Sequence, residues 1–336
     1  MKRGLFTLLT TLLPLWAVCA QVPDLDRAAS LSAQVVKLYQ ANKPADGVPL
    51  AKEALALREK ALPAEHILIA EALHNLASLY WRLGDFKQAA PLVQRALAIL
   101  EKAKPRNENS LVGTLTLLGG IFYAVTDFEQ AALYFQRALT IRENLLGPEH
   151  KETLDLVITL ANTYKNAGQF DSAEFLFRSY IETQTRRGGA AEDSGYALER
   201  LSCLLWVKGE DKEAEKLEKR ADALLGYGGP FLQAKPRELR EKQLSRPAIN
   251  IVLDKKYLQD FLYIREGEIG VRLLVNEQGE PLRACAYLGP SFLLAYYENA
   301  ARRTKFSPFM LNNQPAKASG TLNYIYEVEK IRPRKN

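Results

Sequence analysis

From Glu71 to Leu97 the apolar positions recur at helical spacing, break at Gly84 and Asp85, and resume at the same spacing. The pattern predicts a helix, a tight turn and a second helix. The unit recurs over Gly113–Leu139 and Asp155–Ile181, so that Gly84, Thr126 and Gly168 hold equivalent places 42 residues apart. A fainter copy puts Gly209 41 residues further on, and another puts Asn42 one period earlier. Ala89, Ala131, Ala173 and Ala214 recur where a methyl group lets two helix backbones approach. Large residues recur before the break (Tyr80, Phe122, Tyr164, Leu205) and after it (Phe86, Phe128, Phe170), so small and large positions can interlock. One such hairpin cannot bury its apolar face alone, and stacked neighbours can. Asp85 and Asp127 stand where a carboxylate caps the following helix and meets the positive end of its dipole.

The period changes after Leu225. Gly226–Arg246 (residues 226–246) carries glycines, prolines and charges and reads as a linker, with a short helix over Pro236–Leu244. Beyond it apolar residues alternate: Val271, Leu273 and Val275 form one strand, Asn276–Glu280 a turn, and Pro281–Tyr287 the returning strand. Pro290–Lys305 reads as a helix with Ser291 as its cap, and Gly320–Val328 as a last strand. Strand, strand, helix, strand predicts a small antiparallel sheet with a helix over one side.

At the other end, Lys2 and Arg3 precede an apolar run from Leu5 to Val18, and small residues precede Gln21. This is the form of a secretory signal peptide over residues 1–20, too short and weakly flanked for a membrane span. An uncleaved anchor and lipid attachment at Cys19 are the alternatives. Removing the signal leaves Cys203 and Cys285, which fall in different expected domains and read as two unpaired thiols rather than a disulfide framework.

The 336 residues, 47% hydrophobic and 25% charged, suit about two globular domains. The net charge of +6 is uneven. Gly226 to the end holds 18 Lys and Arg against 11 Asp and Glu, a mild basic excess that suits solubility rather than a nucleic-acid footprint.

The set Leu76, Ala77, Tyr80, Gly84, Phe86, Ala89 and Ala96 resembles the tetratricopeptide pattern. Leu118, Gly119, Phe122, Phe128, Ala131 and Ala138 repeat it, as do Leu160, Ala161, Tyr164, Gly168, Phe170 and Ala173. The 42-residue period and the connectors Ala56–His66 and Thr140–His150 resemble the longer repeats of kinesin light chains. The resemblance implies an all-α superhelix of about five hairpins over residues 21–225 whose first helices line a concave groove. In that register the groove positions include Asn75, Ser78, Trp81, Arg82, Tyr123, Asn162, Lys165, Asn166 and Trp206, with Glu199, Arg200 and Cys203 in the same row. Amides suit an extended peptide because they both donate and accept, aromatic rings stack on its side chains, and Arg82, Lys165 and Arg200 favour an acidic ligand. The same pattern also describes an ordinary solvated helix face with Trp81 and Trp206 packed on neighbouring helices. Tyr180 stands where the pattern prefers a small residue, and Glu218 where it prefers an aromatic one.

Residues 247–336 are expected to form a small α+β domain, of which roughly Gly267–Glu329 resembles the C-terminal domain of TonB-family proteins. The likeness rests on the hairpin Gly270–Gly289, the Arg302, Phe306 and Pro308 arrangement, and the aromatic closing strand. It implies docking by strand addition, with Thr321, Asn323, Tyr324, Ile325 and Tyr326 on the candidate edge. An energy transducer of that family has an uncleaved anchor and a long proline-rich spacer, where this chain has a signal-like start and repeats.

His66 and His150 occupy equivalent connector places and read as repeat structure; no histidine pair has metal-ligand spacing. Neither a phosphate loop nor a nucleophile motif is present. The sequence reads as a noncatalytic, exported scaffold of the periplasm in a Gram-negative envelope, without cofactor, metal or nucleic acid. It binds envelope proteins or peptides in the groove and a second partner at the sheet edge. The alternative is an accessory or transducer in TonB-dependent transport that contacts outer-membrane receptors.

Overall fold

A computed structural model describes residues 15–226, 232–233, 266–288, 297–298, 301–311, 313–316 and 318–327. Residues 1–14 of the expected signal, the Pro236–Leu244 helix and most of the expected linker lie outside the described residues.

Among the described residues 15–226, ten helices follow one another: α1 (Leu15–Gln40), α2 (Pro44–Ala61), α3 (Ile67–Arg82), α4 (Phe86–Lys102), α5 (Glu108–Ala124), α6 (Phe128–Leu146), α7 (Lys151–Asn166), α8 (Phe170–Arg186), α9 (Ala191–Lys208) and α10 (Asp211–Leu224). They form five successive helix–turn–helix pairs. The chain divides into two compact units, Met1–Ile121 and Phe122–Asn336. The second holds α6 to α10 together with the strands described below.

The breaks have one conformation throughout. Asn42, Gly84, Thr126, Gly168 and Gly209 all have φ between +56° and +77°, the left-handed region that ends a helix and turns the chain back. Glycine reaches it without penalty; Thr126, with a branched Cβ, does not. Asp85 and Asp127 cap α4 and α6, their carboxylates accepting from Gln88 N and Gln130 N at 3.2 Å. His66 and His150 do the same for α3 and α7: Nδ1 accepts from Leu68 N and from Glu152 N at 3.2 Å. The acceptor role leaves the ring proton on Nε2. The shared connector place of the two histidines is thus a helix cap.

Ala89, Ala131, Ala173 and Ala214 are fully buried, as their recurrence predicts. Within the first unit, Val35, Ala51, Leu76 and Leu79 form a core between α1, α2 and α3, flanked by Tyr39, Val48 and Tyr80. Tyr180 is buried at its small-residue position, and its hydroxyl accepts from Gln184 Nε2 at 2.8 Å, so the larger side chain is accommodated by a polar partner one turn on.

The second unit also contains β1 (Leu232–Gln233), β2 (Glu266–Val275), β3 (Pro281–Leu288), β4 (Phe309–Leu311), β5 (Gln314–Ala316) and β6 (Ala318–Glu327). The sheet order is β1-β6-β2-β3, and β4 with β5 makes a separate hairpin that the alternation did not signal. β2 pairs antiparallel with both β3 and β6, whereas β1 joins β6 in parallel at Ala318 and Ser319. The expectation of a purely antiparallel sheet is thus modified at its first strand. In the β2–β3 turn, Asn276 Oδ1 accepts from Gln278 N and Glu280 N, and Gly279 has φ +75°. A Cβ on Gly279 would run into the backbone carbonyl of Phe306, whose N–H donates to Gly279 O at 2.9 Å. Of the expected Pro290–Lys305 helix, residues 297–298 and 301–303 are helical, whereas Thr304 and Lys305 are not, so the helix ends two residues earlier than expected.

Candidate functional site

In β2 and β3, residues directly opposite each other share a face, so Arg272 with Cys285 and Leu274 with Arg283 lie on one side of the sheet. That side faces α9 and α10. The Arg272 guanidinium stacks on the Trp206 ring, 3.8 Å from its centroid. Arg283 is buried and donates to Glu218 of α10 at 2.5 Å and pairs with Asp222. The departure of Glu218 from its expected aromatic therefore places a carboxylate against the sheet. Cys203 of α9 and Cys285 of β3 form a disulfide, with Cα atoms 5.5 Å apart. This corrects the reading of two unpaired thiols. The two cysteines are 82 residues apart in sequence, and their pairing depends on a distance in space that local sequence does not record.

Next to the disulfide, five charges converge from α7, α9 and the 297–303 segment. Lys165 Nζ donates to Glu298 Oε2 at 3.2 Å, and Arg200 Nη1 donates to Glu298 Oε1 at 2.5 Å. Arg302 Nη2 donates to Glu199 Oε1 at 2.7 Å and to the Ala284 carbonyl at 2.9 Å. Lys165, Glu199 and Glu298 are each only about 3% exposed. Burial alone would raise the Glu298 carboxyl, but Lys165, Arg200 and Arg302 overcome it and hold the group at about 2. Burial pulls the Lys165 ammonium below its usual range, against the attraction of Glu298. Tyr123 and Asn166 complete the surroundings, Asn166 Nδ2 donating to the Tyr123 hydroxyl at 2.7 Å. Burial raises the Tyr123 phenol above its usual value, which keeps it neutral.

The sequence profile of the tetratricopeptide repeat matches residues 25–102 and 111–186. Those segments are tetratricopeptide repeats. Among solved structures, the chain is similar to nearly identical TPR-like repeats of a Podosopora anserina protein of kinesin light chain type, at 22% identity and TM-score 0.54 over 60% of this chain and 96% of that one. It is also similar to the apo form of RapI, at 11% identity and TM-score 0.51 over 60% of this chain and 70% of that one. Likeness at this identity concerns the fold. No curated protein matches the chain in sequence.

Along the repeats, the expected groove residues meet different fates. On α3, Asn75, Ser78 and Trp81 are half-buried and Arg82 is exposed. Ser78 Oγ donates to the His74 carbonyl, Trp81 lies against Gly120, and Arg82 stacks on Tyr39 at 4.9 Å. On α7, Asn162 is half-buried and turned to the Ile158 carbonyl, while Lys165 and Asn166 are buried. Trp206 on α9 is half-buried beneath Arg272. The acidic ligand expected at Lys165 and Arg200 is thus supplied by Glu298 of the same chain. Two sequence signals pointed to this arrangement. Cys203 shares a row with Glu199, Arg200 and Trp206, and Cys285 is its only cysteine partner once the signal is set aside. A bond between them requires the C-terminal segment to cover that row.

Thr321, Asn323, Tyr324, Ile325 and Tyr326 lie in β6, opposite Arg272, Gly270, Ile269, Glu268 and Gly267 of β2. β6 is interior at Ala318 and Ser319; beyond Ser319, among the described residues, β2 is its one strand partner. The described residues contain no cluster of His, Cys, Asp and Glu suited to a metal, and no helix long and apolar enough to cross a membrane.

Proposed function

We propose that the protein is a noncatalytic interaction scaffold, exported to the periplasm, that binds a protein or peptide on the face of its N-terminal repeats. The observation that carries this reading is the contrast between two equivalent rows. Lys165, Arg200 and Glu199 are engaged by the chain's own C-terminal segment, whereas Asn75, Ser78, Trp81 and Arg82 present amide, hydroxyl, aromatic and cationic groups that remain half-buried or exposed. Tetratricopeptide repeats serve as protein–protein interaction scaffolds, and such a mixed row suits the backbone and side chains of an extended peptide. Export is supported by the signal-like start and by the Cys203–Cys285 disulfide, since structural disulfides persist in oxidising compartments.

A second partner docks by strand addition along residues 321–327, where β6 has β2 on one side; the TonB-like character of this segment rests on its sequence. The test places a photo-crosslinking residue at Ser78 or at Asn323 of the full chain in intact envelopes, with a control at exposed Lys151, and sequences the mature N-terminus. Distinct protein adducts at Ser78 and Asn323, absent at Lys151, with an N-terminus at Gln21, uphold the scaffold. Outer-membrane receptors at Asn323 with an uncleaved N-terminus favour the transport role, and adducts identical to the control refute both sites.

A further inference from the structure

The five charges where the 297–303 segment meets α7 and α9 form a recognition code with direction. Glu298 and Arg302 stand four residues apart, each in helical backbone. The receiving face answers each with its opposite: Lys165 and Arg200 take the Glu298 carboxylate, and Glu199 takes the Arg302 guanidinium. A single ion pair would leave the orientation of a bound segment free. Two opposite charges matched to two opposite sites fix both register and polarity, and a reversed or shifted segment would set like charges together. Because Lys165, Glu199 and Glu298 are buried while Arg200 and Arg302 are half-buried, desolvation offsets much of the attraction, and the pairs contribute selectivity more than affinity.

We infer that the α7–α9 face is a receptor site for helical peptides bearing a glutamate and, four residues later, an arginine, and that in this chain its own segment fills it. Cys203 lies on the same face, one turn beyond Glu199 and Arg200, and its bond to Cys285 closes the site covalently. In forming that bond the two thiols give up two protons and two electrons to a disulfide oxidant, which leaves as a dithiol. Before oxidation the segment is held by noncovalent contacts alone, and the site is open to a partner helix carrying the same charge pair.

The test uses the full chain with Cys203→Ser, Cys285→Ser and Glu298→Lys, so that Lys165 and Arg200 repel the internal segment and no disulfide retains it. A fluorescein-labelled peptide of residues 291–305, SFLLAYYENAARRTK, is titrated and followed by anisotropy. The expected result is saturable binding to the variant and none to the oxidised wild type. Replacing the peptide's glutamate, or the arginine four residues later, by glutamine weakens binding by about tenfold or more. Equal binding of all three peptides, equal binding by oxidised wild type, or no binding by a variant with intact helical circular dichroism overturns the inference. If the triple variant loses its helicity, thiol chemistry supplies the reading. After reduction of the otherwise wild-type chain, re-formation of the disulfide with oxidised glutathione is slower in Glu199→Arg and in Arg302→Glu and recovers when the two are combined. Single variants that reoxidise at the wild-type rate, or a combination no faster than either single, overturn it as well.

Discussion

Removing the Cys203–Cys285 bond tests the account of how the C-terminal sheet is held to α9. The perturbation is the double variant Cys203→Ser and Cys285→Ser. The two cysteines are 82 residues apart in sequence. For a loop of that length the chain-entropy relation gives about 4.5 kcal/mol of stabilisation at 25 °C. Native-state contacts change little, because both sulfur positions are buried and serine is smaller than half of the cystine it replaces. The effect therefore falls mainly on the unfolded ensemble. The assay follows Trp206 fluorescence in a Trp16→Phe, Trp81→Phe background during urea titration, since the Arg272 stack makes this indole a reporter of docking. With a urea dependence of about 2 kcal/mol per molar, the midpoint should fall by roughly 2 M. The same titration with wild type under dithiothreitol should coincide with that of the double variant. A midpoint shift below about 0.3 M, or two thiols that react with Ellman's reagent in the native, unreduced protein, would refute the reasoning.

The Glu298 carboxylate is held at about 2 against an ordinary 4.5, so its contribution is present above pH 4.5 and is lost as pH falls towards 2. It amounts to about 3 kcal/mol, and urea midpoints measured between pH 5 and 3 should decline more steeply in wild type than in Glu298→Gln; parallel slopes count against the buried ion pairs. Thr126→Gly relieves a branched side chain at φ +64° and should raise the thermal midpoint, by about 0.5–1 kcal/mol after glycine's own entropy cost; a lower midpoint would mean that the threonine side chain contributes more than its backbone strain. Asp85→Ala removes the cap on α4 and should cost about 1 kcal/mol, read as a lower thermal midpoint; an unchanged midpoint would show that the cap hydrogen bond contributes nothing. Gly279→Ala combines a left-handed φ with a collision at the Phe306 carbonyl and should cost about 3 kcal/mol or more, read as loss of the Trp206 signal at lower urea than in wild type.

The repeats were legible because their determinants are local. The left-handed breaks at Gly84, Gly168 and Gly209, the caps at Asp85 and Asp127, and the buried alanines each follow from a residue and its immediate neighbours, and a 42-residue period states them several times over. The β2–β3 hairpin was legible for the same reason, since alternation around Asn276 and Gly279 fixes both strands and the turn. Equivalent rows on α3, α7 and α9 also follow from helical spacing. Their environments do not. Whether Lys165 meets a partner's carboxylate or the chain's own Glu298, 133 residues later, is decided by where a distant segment packs, and nothing near Lys165 in sequence records it. The same holds for Cys203 and Cys285, for Arg283 with Glu218, and for the Arg272 stack on Trp206. Local periodicity determined the elements and the faces they offer; the tertiary structure decided which of those faces the protein covers itself, because only contacts between remote residues can neutralise a buried charge or close a disulfide.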